Sequence, residues 1–266
     1  MTRNRWFWAI LLIFAGILIL LDNLGIIRVN VWGIIWPLAI ILIGVQMLWT
    51  FFRARNLPQS EQLNIPLQNE TNAEIKVKHG AGRLSIGANP LPGSLLSGSF
   101  TGGIVHEVMS RGSGVSIDLR SPADVIMGAP WSVDPHGGFQ WTLDLTQQIP
   151  LTLELNTGAS ESEIDLTNLQ VTDLRLETGA SSTRVMLPAH AGFTRVRTQS
   201  GAAAVDLRIP QGVAAQIHAH GGLASIDVDQ QRFPGGNGVY ASLDYSTAQN
   251  RVEIDAETGV GSITIR

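Results

Sequence analysis

Eight times along the chain a short alternating run meets a corner of small residues centred on glycine, then resumes its alternation. The runs are EIKVKHGAGRLSIG around Gly80, EVMSRGSGVSIDL around Gly112, SVDPHGGFQWTLDL around Gly137 and LELNTGASESEIDL around Gly158. They continue as LRLETGASSTRVML around Gly179, VRTQSGAAAVDLRI around Gly201, QIHAHGGLASIDVD around Gly221 and IDAETGVGSITIR around Gly259. From Gly137 to Gly221 the corners follow one another at steps of 21, 21, 22 and 20 residues. A period that regular is the mark of a solenoid. Leu174 and Leu176 alternate with Asp173, Arg175 and Glu177, and past the corner Val185 and Leu187 alternate with Arg184 and Met186. A period of two means strands with one inward face. A single unit cannot shield that face, so it gains stability only by lying on its neighbours, about 4.8 Å away. The expected fold is therefore all-β, a parallel β-solenoid (β-helix) of about eight coils over residues 73–266. Gly179 and its counterparts allow a backbone turn that a Cβ would obstruct, and Ala180, Ser181 and Ser182 keep the corner narrow enough to stack.

The amino-terminal part is of another kind. Trp6 to Leu21 holds 16 residues without a charge, and Val31 to Phe52 holds 22 in which Gln46 and Thr50 are the polar exceptions. These lengths predict two membrane helices, about 6–21 and 31–52, the first short enough to need thinning or snorkelling near Asp22 and Asn23. A cleaved leader is disfavoured, because no Ala-x-Ala-like site follows Leu21 and a second apolar run begins within nine residues. Trp6, Trp8, Trp32, Trp36 and Trp49 lie toward the ends of the runs, where amphipathic rings favour the headgroup level. Residues 1–55 thus form a transmembrane hairpin, and residues 56–72, polar with two prolines, read as a linker.

Charge orders these parts across a bilayer. Arg3 and Arg5 precede the first helix and Arg53 and Arg55 follow the second, whereas the loop between them holds Arg28 offset by Asp22. The positive-inside rule puts the loop outside and both termini, with the solenoid, in the cytoplasm. Beyond residue 55 the chain carries 13 basic and 21 acidic side chains. That excess disfavours nucleic acid as a partner. The chain has no cysteine, which excludes disulfides, thiol catalysis and thiolate metal sites.

The segment AGILILLDNLGII, followed after a short gap by VWGIIWPLAIILIGVQMLW, resembles the LiaI/LiaF-like transmembrane region, through Asp22-Asn23-Leu24-Gly25, Trp36, Pro37 and Gly44. ETGASSTRVMLP, SGAAAVDLRIP and the terminal ETGVGSITI resemble the LiaF carboxy-terminal, toast-rack and adhesin-type β-solenoids. The resemblance implies a LiaF-like membrane protein without enzymatic activity. In that family the implied role is to restrain a two-component sensor kinase of cell-envelope stress by protein-protein contact. Two rivals stand beside it: an extracytoplasmic adhesin or ligand-binding solenoid, and a scaffold that polymerises, so a homo-oligomer stays open.

Candidate sites are sparse. His218 and His220 share a strand face at i and i+2, as a metal pair would, but no Cys, Asp or Glu accompanies them in their coil before Asp227. His79, His106, His136 and His190 fall in other registers. Asp118, Asp144, Asp165, Asp206 and Asp227 occupy like places after the corners, which suits a solvated outward face better than a calcium ladder. The glycines at Gly80–Gly82 and Gly112–Gly114 lack the third glycine and the helix of a phosphate loop. No catalytic, cofactor or metal residue is assigned, and no cofactor is expected. The one long departure from the repeat, Asp229 to Asn250, holds Phe233, Tyr240 and Tyr245 and reads as a partner-contact or capping loop.

Overall fold

The computed structural model describes residues 60–122 and 139–266, together with the helical positions Pro37, Ile40, Ile41, Gly44 and Val45. The chain separates into two units, Met1–Leu57 and Pro58–Arg266. Apart from those five positions, the helices expected at 6–21 and 31–52 lie outside the described residues, as does the corner expected at Gly137. Among the described residues no helix is long and apolar enough to cross a membrane.

The second unit is built from strands. They are β1 (Ser60–Pro66), β2 (Asn72–Gly87), β3 (Ser94–Thr101), β4 (Val105–Arg111), β5 (Gly114–Arg120), β6 (Gln140–Leu145) and β7 (Leu151–Asp165). There follow β8 (Val171–Thr178), β9 (Ser182–Met186), β10 (Phe193–Arg208), β11 (Ala214–Val228), β12 (Gly235–Gly236), β13 (Val239–Ala241) and β14 (Arg251–Ile265). β2, β7, β10, β11 and β14 each run through a glycine corner and so have two arms; β8 and β9 are the two arms of one coil. These six rungs stack in parallel, first arm on first arm and second on second.

Alternation puts one apolar row behind each set of arms. In the first arms Ile117, Ile75, Leu153, Leu174, Val196, Ile254 and Ile217 follow one another in register, all 0% exposed. In the second arms the row is Leu143, Ile86, Ile164, Val185, Leu207, Ile265 and Val228. Each such side chain contributes roughly 1.5–3 kcal/mol by leaving water, so the rows rather than any single corner hold the stack together.

Three sequence expectations need correcting. The coils do not stack in chain order: β14, the last strand, lies between β10 and β11. Its sequence matches the others, and hydrogen bonding reads register, not chain position, so the repeat alone carries no order. Second, the corner at Gly112 is a hairpin turn. β4 and β5 pair antiparallel from Val105↔Arg120 to Arg111↔Gly114, and Gly112 has φ 62°, the conformation that a two-residue hairpin needs at its first loop position. β5 and β6 nevertheless pair parallel with the first and second arms of β2, so that the described residues hold a seventh level of parallel strands beside the six rungs. Third, the stretch 56–72 is not all linker, because β1 pairs antiparallel with β3, which pairs antiparallel with β6. The alternating exposure of Leu63 and Ile65, both packed on the core, is a strand pattern that the flanking prolines hid.

Candidate functional site

The glycine corners align into one row across the stack: Gly80, Gly158, Gly179, Gly201, Gly259 and Gly222. At the last rung the aligned glycine is Gly222 and not Gly221, since His220 pairs with Glu257 and Leu223 with Val260. Each corner sits on the carbonyl of the one beneath; a Cβ would stand 2.9 Å from the Gly158 oxygen at Gly179 and 3.2 Å from the Gly179 oxygen at Gly201. Glycine is needed here for close approach between rungs, the packing role that the small-residue corner predicts.

Without side chains the row leaves an open groove of about 970 Å³, walled by Lys78, Asn156, Glu177, Gln199 and Glu257. Below it lie His79, Thr157, Thr178, Ser200 and Thr258 in register. His79 is 1% exposed, its ring 5.0 Å from that of Trp141, and neither ring nitrogen has a hydrogen-bond partner. Burial pulls its imidazole down to about 4. The hydroxyls of Thr157, Thr178 and Thr258 are likewise buried without partners.

The outward faces carry ion pairs. Asp118 meets Arg120 at 3.1 Å, Asp206 meets Arg184 and Arg208 at 3.2 Å each, and Asp227 meets Arg266 at 3.7 Å. Asp165 instead accepts a hydrogen bond from the Thr167 amide at 2.9 Å. Asp118, Asp165, Asp206 and Asp227 thus face guanidinium groups or a turn, and surface pairs of this kind each contribute little to stability.

His218 and His220 do share one face of β11, and the inserted β14 brings Asp255 and Glu257 alongside them. That juxtaposition was not legible in the sequence, because it depends on the strand crossing. Even so, among the described residues no group of three or more His, Cys, Asp or Glu side chains is placed to hold a metal ion.

The aromatic loop packs against the first arm of β11. Phe233 is 1% exposed and lies under the Arg232 guanidinium, 4.8 Å from the ring centroid. Arg232 donates to the carbonyls of Ile209 at 2.8 Å and Pro210 at 3.0 Å, tying the loop to the turn before β11. Tyr240, on β13, pairs opposite Ile217 and packs on the core. Tyr245 is half-buried in the following turn, its amide donating to the Ser242 carbonyl. Phe233 therefore has no surface to offer a partner, while Tyr240 and Tyr245 keep part of theirs.

Comparison with known proteins fits this architecture. Residues 54–208 match the family model for the N-terminal domain of toast_rack. Residues 6–48 match the LiaI-LiaF-like transmembrane region. Among solved structures, a proposed cell adhesion protein from Clostridium sporogenes aligns with a TM-score of 0.71 at 18% identity, over 78% of this chain and 98% of the other. A proposed adhesin from Bacteroides fragilis aligns over 78% of this chain and 97% of the other with a TM-score of 0.29 and 7% identity. No curated protein matches. With its stacked two-armed rungs and its apolar amino-terminal segment, the chain belongs to the toast_rack family and carries a LiaI-LiaF-like transmembrane region.

Proposed function

We propose that this protein is a non-enzymatic regulator of the bacterial cell-envelope stress response, anchored in the inner membrane by two helices with its termini and β-solenoid in the cytoplasm. The observation that carries the reading is the joining of a LiaI-LiaF-like transmembrane region to a toast_rack domain in one chain. The mechanism is tethering. Anchoring confines the extended, ion-paired faces of the stack near a membrane partner such as a two-component sensor kinase, which raises their effective concentration without a strong intrinsic affinity. The four flanking arginines set against the single Arg28 of the loop support the cytoplasmic orientation.

The test is in-membrane cross-linking of the full chain followed by identification of what is captured. A histidine kinase or another envelope-stress component is the expected catch, and its absence from every cross-linked product counts against regulation. A second reading, adhesion, follows from the fold shared with the proposed cell adhesion protein of Clostridium sporogenes. Adhesion needs the opposite topology. A reporter fused after Arg266 separates the two, since activity only in the cytoplasm removes the adhesin.

A further inference from the structure

Two ladders of arms give the second unit four terminal edges, and the chain treats them differently. An unpaired strand edge is a template for any strand that arrives, so edges are ordinarily covered or carry charge or proline. The first-arm ladder ends at β4, which bears His106, Glu107 and Arg111, with Glu107 paired to Arg120 at 3.1 Å. Its other end, the first arm of β11, is covered by β13 over Gln216–His218 and by the Gly238 carbonyl, which accepts from the Ala219 amide at 2.8 Å. The second-arm ladder begins at β1, which has Glu61 and closes on Pro66. Its remaining end is the second arm of β11, Leu223–Val228. Among the described residues this arm pairs with β14 on one side and with nothing on the other. It has no proline and no lysine, its one charge is Asp227, Leu223 is 82% exposed and Ile226 is half-buried. The cap that shields the first arm stops short of it.

We propose that this edge pairs with the same edge of a second copy of the chain. Two identical edges related by a two-fold axis must run antiparallel. Opposite residues in such a pair share a face, so inward side chains must meet inward ones. Ala224, Ile226 and Val228 are the inward set, in line with Gly261, Ile263 and Ile265 of β14. A register centred on Ile226 sets Ile226 against its counterpart and Ala224 against Val228, which carries the core row of one copy into the other. On the outward face it sets Ser225 beside Asp227 of the other copy. Six residues make a small contact, and anchoring both copies in one bilayer supplies the concentration that it needs. The inference rests on the transmembrane region and not on the regulatory role, so the two can fail separately.

The chain has no cysteine, so a single introduced thiol reports its own neighbours. Full-length S225C in native membranes, treated with a short thiol-thiol cross-linker, is expected to give a dimer. S182C, an exposed outward position on the inner rung β9, is expected to stay monomeric. In co-purification of two differently tagged copies, S225D puts a carboxylate beside Asp227 twice over and should lower recovery by about tenfold, while S225K should retain it. Equal cross-linking of S182C, capture by S225C of a different protein alone, or recovery unchanged by S225D would each overturn the proposal.

Discussion

A Cβ added to Gly259 would stand 2.8 Å from the carbonyl oxygen of Gly201, although the two corners are separated in the chain by a whole coil, that of Gly221 and Gly222. The approach is graded along the row: at Gly201 the corresponding distance is 3.2 Å, and at Gly158 the clash with the Gly80 carbonyl is closer than either. Gly→Ala also narrows the unfolded ensemble, a gain of about 0.4–1 kcal/mol where the folded backbone accommodates it. G158A and G259A should therefore lose about 2 kcal/mol or more, whereas G201A should stay within about 1 kcal/mol of wild type. Denaturant midpoints of the three variants check the order, and a G201A as unstable as G158A would contradict the packing account.

The insertion of β14 makes folding depend on the end of the chain. Until Arg251–Ile265 is in place, β10 and β11 each lack a neighbour along a whole strand, and Val196 and Ile217 lack the Ile254 that lies between them. A stop codon after Asn250 should consequently abolish the protease-resistant β-sheet of the entire second unit, not fray one end of it. In a stack built in chain order, the same deletion would remove one terminal rung and leave the rest. Limited proteolysis of the membrane-bound protein distinguishes these outcomes.

Capping predicts a division among the loop aromatics. Phe233 fills a buried site against the Arg232 guanidinium, so F233A should cost about 3 kcal/mol or more. Y245A removes a half-buried ring in a turn and should cost no more than about 1 kcal/mol. Thermal melting of each variant gives the comparison. A silent F233A would return the loop to the role of a free recognition surface.

The strands, their inward faces and the glycine row were legible because each depends on local alternation or on a small-residue corner, as at Leu174, Leu176 and Gly179. What escaped depends on partners distant in sequence. EVMSRGSGVSIDL has the same alternation as a coil, and only the pairing of Val105 with Arg120 shows it to be a hairpin. The placing of Asp255 beside His218 follows from strand order, which side-chain periodicity does not encode. Gly221 and Gly222 are adjacent and equally small, so only hydrogen-bond register selects the second. For the site the sequence carried less: Phe233, Tyr240 and Tyr245 marked the loop, but whether an aromatic faces solvent or core depends on where the loop lands.

Acid should weaken the fold through His79. Its imidazole is buried beside Trp141 with no partner for either nitrogen, and burial holds it down to about 4 against an ordinary value of 6.5. Between these values the unfolded chain binds a proton there and the folded one does not. Stability is therefore fully present above about pH 6.5 and is lost progressively as pH falls toward 4, by about 3 kcal/mol for a shift of that size. H79L removes the titrating group while keeping an apolar side chain in the buried row. Across this pH window the urea midpoint of wild type should fall further than that of H79L, and the gap between them should stop widening below pH 4. Parallel pH profiles for the two proteins would show instead that the ring finds a partner or water in solution, which would restore its ordinary titration.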